Sequence, residues 1–243
     1  MKGDGKGGGN PSLAASSLSG AGTVKRVPDV IPYLAMPRPV WRGKMHAWAF
    51  FIAIPLAIAL VVVASGAAAT VGASIYAATL LGLFGTSAAY HRLAQSPRAR
   101  QIMQRLDHSM IYLLIAGTYV PLCLVALPPE WGIPMLAIVG GLALAGVVMK
   151  MAAFERLPRL SSSLYLVMGW AAIIAGPALY HNLTGPQMGL IVAGGAAYTI
   201  GFPVLFTRRP DPWPATFGYH EVWHSIVVVA AGLHFAAVAN VVA

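Results

Sequence analysis

Charged side chains are scarce in this chain of 243 residues. Lys, Arg, Asp and Glu together make up 9% of the residues, whereas 58% are hydrophobic. An average soluble domain is about 25% charged. The composition therefore disfavours a water-soluble monomer and predicts an integral membrane protein.

Acidic residues and cysteine are also few. The chain has 7 acidic residues against 16 basic ones, which gives a net charge of +9. The basic residues lie between long apolar runs rather than on one face, so nucleic acid is not expected as a partner. The one cysteine, Cys123, lies inside an apolar segment, which excludes a disulfide framework and a cysteine-based metal site.

The beginning of the chain has no long apolar run. Residues 1–30 are rich in Gly and Ser, and they contain no continuous apolar stretch of the kind that a secretory signal needs. We predict a disordered cytoplasmic tail over 1–36, followed by a transmembrane domain over 37–243.

Beyond the tail, apolar runs recur at a length of about 20 residues, enough for a helix rising 1.5 Å per residue to cross roughly 30 Å of hydrocarbon. Backbone groups find no water inside lipid, so these segments must be helical. Loops with Pro and Gly separate them. The predicted fold is all-α, a bundle of seven transmembrane helices at 46–64, 69–91, 106–127, 132–151, 162–181, 187–206 and 219–241.

All 16 basic residues fall on one side of this arrangement. They lie before the first helix, and in or at the edges of the second-to-third, fourth-to-fifth and sixth-to-seventh connections. Lys and Arg concentrate in cytoplasmic loops. The pattern predicts a multi-pass protein of the cell (inner) membrane with its amino terminus in the cytoplasm and its carboxyl terminus outside.

Five polar or ionisable residues are predicted to share one depth in the membrane. The second helix runs inward and ends with Ser87 and His91, the third begins near Asp107, and the seventh begins with His220 and His224. An Asp at the centre of a transmembrane helix costs about 2.5–3.5 kcal/mol on insertion scales, so such residues need an explanation. Their common depth predicts a shared site.

The spacing of the histidines is typical of a metal site. His220 and His224 are four residues apart, so they lie on one helical face about 6 Å apart along the axis. Together with His91 they offer three imidazoles, the ligand pattern of a catalytic zinc ion whose fourth position is open. We therefore predict a zinc cofactor held by His91, His220 and His224.

Simpler interpretations remain open for each of these residues. The histidines can be hydrogen-bonded packing residues, and Ser87 can be a small residue at a helix contact. Asp107 can cap the third helix or pair with Arg105.

The other four histidines are left outside the predicted site, and one of them, His181, falls at the outer surface. His46 is expected to anchor the first helix at the membrane interface beside flanking tryptophans, with participation in the site as the alternative. His108 points about 100° away from Asp107 around the helix. His234 lies ten residues beyond His224, about 15 Å deeper in the membrane.

The chain resembles the hemolysin III family, part of the progestin and adipoQ receptor superfamily that includes the adiponectin receptors. PRPVWRGKMH at 37–46 is similar to the family's opening segment, and SAAYH at 87–91 matches its S-x-x-x-H motif. LDHSMIYLLIAGTYVPL at 106–122 is the most specific stretch, and HEVWHSIVVVAAGLHF at 220–235 matches the closing H-x-x-x-H motif. The acidic residue and asparagine that often precede the first-helix histidine are absent here.

This resemblance implies a seven-helix bundle in which His91, His220 and His224 hold zinc, with Ser87 and Asp107 near the zinc-bound water. It also implies kinship with the alkaline ceramidases, which hydrolyse a lipid amide.

These observations favour a zinc-dependent hydrolase of a lipid amide or ester, linked to membrane-lipid homeostasis. Asp107 is then the general base, and Ser87 bonds the water or the developing oxyanion. A receptor-like or regulatory protein with structural zinc is the alternative. A pore-forming cytolysin is disfavoured, because the outer halves of the helices are nearly free of charge. Membrane lipids are the expected partners, with a homo-oligomer as a further option.

Overall fold

The computed structural model describes residues 39–154 and 156–243, except for the side chains of residues 158 and 159. The predicted disordered tail over 1–36 lies outside the described residues. The described chain contains no β-strand. Its α-helices are α1 (Lys44–Val63), α2 (Ala67–Arg92), α3 (Pro97–Pro121), α4 (Pro129–Ala152), α5 (Pro158–Trp170), α6 (Gly176–Asn182), α7 (Gly185–Thr207) and α8 (Tyr219–Val242).

Six segments are long and apolar enough to cross a membrane as single helices, and the bent pair of α5 and α6 gives a seventh when it is counted as one span. Large apolar side chains cover the outside of the bundle: Phe51, Val62 and Ile200 are 67%, 77% and 70% exposed. Such a surface is stable in lipid rather than in water. The predicted all-α, multi-pass membrane fold is confirmed.

The third helix begins earlier than predicted. It starts at Pro97 rather than at residue 106, because Ser96 accepts a hydrogen bond from the backbone N–H of Ala99 and Pro97 suits the first helical position. Residues 97–105 are mostly polar, so an apolar run could not indicate that they are helical. After Pro121 the helix continues as a π-helical turn, Leu122–Ala126.

The fifth span is broken, whereas a continuous helix over 162–181 was predicted. Helix α5 passes into a 3₁₀ turn at Ala171–Ile173, and α6 starts at Gly176 with an axis bent by 55°. Pro177 explains the break, since it has no N–H to donate to the carbonyl of Ile173, four residues earlier, and its ring clashes with that carbonyl.

Two apolar clusters form the interior. One joins α1, α2, α3, α7 and α8 around Tyr76 and Ala231, and the other joins α3 to α6 around Tyr112 and Met168. Helices α2 and α3 approach closely at Gly72, where a Cβ atom would lie 2.8 Å from Pro121 Cα. Small residues allow such contacts between membrane helices. The first cluster fixes the ends of α1, α2 and α8 that carry the polar site.

Candidate metal centre

Three histidines meet at the predicted cytoplasmic end of the bundle. His91 comes from the last turn of α2, and His220 and His224 come from the first two turns of α8. One ring nitrogen from each lies within 4.8 Å of the other two. The Nε2 atoms of His91 and His220 are 3.1 Å apart. The fold therefore brings together the same three residues that the spacing and depth arguments selected.

These three imidazoles can hold a metal ion. Tetrahedral zinc takes nitrogen ligands at about 2.0–2.1 Å, which places two such ligands roughly 3.3 Å apart. The His91–His220 separation of 3.1 Å is close to that value. His91 and His224 are buried, and His220 is partly buried. Neutral imidazole in a buried pocket suits zinc and other first-row transition metals rather than magnesium or calcium.

Asp107 lies beside this cluster. Its Oδ2 atom is 3.9 Å from His91 Nε2 and 3.9 Å from His108 Nδ1. Arg105 instead donates from Nη1 to the carbonyl of Met151. Asp107 therefore does not pair with Arg105. It also does not cap the third helix, because α3 begins at Pro97 with Ser96 as its cap.

Ser87 lies one turn before His91 on α2 and lines the same cavity as Asp107. The side chain is 2% exposed, and its hydroxyl lies beside the Asp107 carboxylate, to which it can donate a hydrogen bond. A hydroxyl used only for packing normally bonds a carbonyl of its own helix, as Thr118 does with Leu114. The Ser87 hydroxyl is therefore a buried polar group beside the histidines that can form a hydrogen bond to a ligand bound there.

His46 is also part of this cluster, so the expectation that it anchors α1 at the interface is wrong. Its side chain is 3% exposed, and its ring stacks in parallel on that of His224, with centroids 3.8 Å apart and planes 6° apart. A sequence signal for this exists. The buried face of α1 repeats at helical spacing, in His46, Ala49, Ala53, Ala57 and Leu60.

The segment before α1 is fastened to the segment before α8. Val40 and Trp41 donate backbone hydrogen bonds to the carbonyls of Ala215 and Thr216. Gly43 has a φ of 75°, and a Cβ there would lie 2.6 Å from His91 Cβ. The left-handed backbone and the close contact both favour glycine at this position. Helices α1, α2 and α8 are therefore locked together at the site.

Glu221 reinforces this connection. Its Oε1 atom accepts from Arg42 Nε at 2.5 Å, and its Oε2 accepts from the backbone N–H of Gly218 at 2.9 Å. Glu221 is 2% exposed. It follows His220 directly in sequence, so the ion pair holds the first turn of α8 in place.

His108 and His234 lie outside the three-histidine group. His108 bonds the carbonyl of Gln104 through Nδ1 and meets the Phe154 ring edge-on. His234 lies near the carbonyl of Ile191, with its Nε2 3.3 Å away. Neither belongs to the set of ring nitrogens that converge.

A cavity of about 480 Å³ runs from the histidines into the bundle. His46, Ser87, Asp107, His220 and His224 line one end, and the remaining wall is mainly apolar. Trp170, Ile173, Val192 and Ile200 line the cavity and are nevertheless more than half exposed on the surface of the bundle, at 55%, 63%, 61% and 70%. The cavity thus opens sideways between α5 and α7, towards the hydrocarbon of the membrane.

Comparison with known proteins agrees with this architecture. Residues 34–235 match the Haemolysin-III related family. The chain is 34% identical over 193 residues to Hemolysin-3 of Bacillus cereus, covering 78% of this chain and 85% of that protein. It is 33% identical to the Hemolysin-3 homolog of Bacillus subtilis (strain 168), covering 78% and 87%. It is also 29% identical over 170 residues to Heptahelical transmembrane protein ADIPOR2 of Oryza sativa subsp. japonica, covering 63% and 73%.

Proposed function

Because this chain belongs to the haemolysin-III-related family of multi-pass membrane proteins, we propose for it a function carried out in the bilayer: zinc-dependent hydrolysis of a lipid amide or ester. One observation carries the proposal. Three imidazoles, two of them buried, meet at one end of the bundle, and two of the three, His220 and His224, line the polar end of an apolar cavity that opens between two lipid-facing helices. This combination suits a substrate with a hydrocarbon chain and a polar linkage.

The apolar walls of the cavity would bind the hydrocarbon chain of a lipid substrate. The cavity volume of about 480 Å³ falls in the range of sites for small ligands, roughly 300–1,000 Å³. An acyl chain entering between α5 and α7 contacts apolar walls, while its carbonyl reaches the histidine end. Entry from the side spares the lipid from crossing an aqueous phase, which suits membrane lipids as substrates.

Zinc held by His91, His220 and His224 would supply a Lewis acid that polarises a carbonyl and activates water. Asp107 accepts the proton of the attacking water at its carboxylate as the new C–O bond forms. It then passes this proton to the leaving nitrogen or oxygen as the old bond breaks. The Ser87 hydroxyl, which is buried beside them, donates a hydrogen bond to an oxygen at the reacting centre.

A second candidate is a receptor-like or regulatory protein in which the metal is structural. This candidate is supported by the position of Asp107, whose Oδ2 atom lies 3.9 Å from His91 Nε2 and so close to the metal ligands. A small rotation would bring the carboxylate into the ligand set, and four protein ligands would close the site as in structural zinc sites. In that case the metal ties α2, α3 and α8 together without turnover.

The test is hydrolysis by purified protein in vesicles that contain amide-linked and ester-linked lipids, with release of fatty acid measured by mass spectrometry. We expect release by the wild type and by His181→Ala, which alters an exposed histidine away from the cluster. His224→Ala should lose both zinc and turnover. A zinc-loaded wild type that releases no fatty acid from any lipid offered would favour the structural metal instead.

A further inference from the structure

His46 has no part in the chemistry proposed above, although it lines the polar end of the cavity. The residue is 3% exposed, and neither buried ring nitrogen makes a hydrogen bond of good geometry within the described residues, although the backbone of His224 lies near the ring. Burying a polar group unpaired costs free energy, and buried polar groups in folded proteins almost always have partners. An imidazole left in this state at the wall of a cavity points to a ligand that completes its bonding.

The position of the ring excludes a role as a fourth metal ligand. Imidazole binds a metal through a lone pair that lies in the plane of the ring. The His46 and His224 rings are nearly parallel, at 6°, with centroids 3.8 Å apart, so their in-plane lone pairs run side by side and do not converge. Consistent with this, His46 is not among the three histidines whose ring nitrogens converge.

The ring is held firmly in this position. Phe84 of α2 contacts it edge-on, with centroids 5.2 Å apart, and His224 covers one face. The turn before α1 is fixed by the ion pair between Arg42 and Glu221. A hydrogen-bonding group that is oriented before the ligand arrives costs little reorganisation when the ligand binds.

We propose that His46 donates a hydrogen bond from its ring to the oxygen of a ligand bound at the three-histidine cluster. The neutral ring has one N–H donor, which is sufficient. For a carbonyl substrate this oxygen is the one that gains negative charge as water adds. The proposal rests on the proposed function for the identity of the substrate. It also predicts that anionic oxygen ligands, hydroxamates among them, bind through His46.

The first experiment measures binding rather than turnover. A long-chain alkyl hydroxamate is titrated by calorimetry into zinc-loaded wild type, His46→Phe, His46→Gln and His181→Phe. Phe keeps a flat ring against His224 but has no N–H, whereas Gln restores an N–H donor. A hydrogen bond to a charged group contributes about 1.5–3 kcal/mol, so we expect His46→Phe to bind roughly tenfold to a hundredfold more weakly. His46→Gln should recover part of the loss, and His181→Phe should bind like the wild type.

The second experiment measures lipid hydrolysis by the same proteins. Loss of one oxyanion donor lowers kcat by roughly 10²–10³-fold, so His46→Phe should lose kcat on this scale with little change in KM or zinc content. His46→Gln should again recover part of the loss. Unfolding temperatures of all variants show whether each has folded.

The two hypotheses fail in different ways. Wild-type hydroxamate affinity and wild-type kcat in His46→Phe would overturn the role of His46 and leave the hydrolase standing. Loss of zinc from both folded His46 variants would also overturn it, because His46 would then hold the metal site. A large loss of hydroxamate affinity that Gln rescues, in a protein that hydrolyses no lipid, would support His46 as a ligand donor and refute the hydrolase.

Discussion

Arg42 Nε lies 2.5 Å from Glu221 Oε1, and this ion pair joins the turn before α1 to the first turn of α8. The exposed fractions of the two side chains are 14% and 2%. His46 follows Arg42 by four residues, and Glu221 lies between His220 and His224, so the pair adjoins three of the four histidines that meet here. The pair therefore couples the stability of the fold to the geometry of the site.

Arg42→Met is expected to destabilise the protein by about 3 kcal/mol, because it leaves the Glu221 carboxylate buried without its cation. The double variant Arg42→Met/Glu221→Leu should recover part of this loss, since it removes the stranded charge. Thermal unfolding in detergent measures both effects. Arg98→Met, which removes an exposed arginine, is the matched control and should be neutral. A double variant no more stable than Arg42→Met would show that the stranded Glu221 charge is not what destabilises the single variant.

Asp107→Asn separates catalysis from metal binding. The change nearly conserves shape but removes the ability to accept a proton. If Asp107 is the general base, the variant should keep zinc and its unfolding temperature while turnover of lipid amides or esters falls roughly 10²-fold or more. Joint loss of zinc and stability would instead make Asp107 a ligand, and undiminished turnover would mean that the base has been assigned wrongly.

Gly195→Leu tests whether the cavity holds the hydrocarbon chain. Gly195 of α7 lines the cavity, and a Cβ atom there would meet no atom within 4 Å, so a leucine side chain fits by filling the cavity. We expect KM to rise about tenfold for long-chain substrates, as a loss of roughly 1.4 kcal/mol of binding would give, and to change little for short-chain ones. Gly189→Leu is the control on the same helix, because it also has free space but does not line the cavity. Equal kinetics of the two variants would place the lipid elsewhere.

The orientation in the membrane can be tested with a reporter that is active only outside the cytoplasm. Because all 16 basic residues fall on one side of the predicted arrangement, a fusion after Ala243 should be active. A fusion within 208–214 should be silent. Activity at the second position, or silence at the first, would contradict the cytoplasmic location of the amino terminus.

Much of the fold could be predicted because the bilayer imposes a length and a composition on each span. The approximate positions of the spans and the meeting of His91 with His220 and His224 follow from apolar runs, depth and a spacing of four residues. The start of α3 did not follow, since Ser96 and Pro97 act through hydrogen bonding and backbone geometry rather than hydrophobicity. The break before α6 depends on Pro177. This proline lies within a continuous apolar segment, so hydrophobicity alone predicted one unbroken helix.

The burial of His46 could not be predicted for a different reason. Flanking tryptophans suggested an anchor at the interface, and Trp48 is indeed 57% exposed. The small residues at Ala49, Ala53 and Ala57 mark the opposite, buried face of α1, on which His46 lies. Assigning His46 correctly required a choice between the two faces, and the packing of α1 against α2 and α8 determines that choice.

The most direct test of the metal centre is an anomalous-scattering map at the zinc edge from crystals of the purified protein. We expect one peak per chain, bonded to His91, His220 and His224, with Asp107 and His46 beyond bonding distance and the fourth position open to the cavity. No peak at this cluster, or a peak closed by Asp107 as a fourth protein ligand, would contradict this expectation.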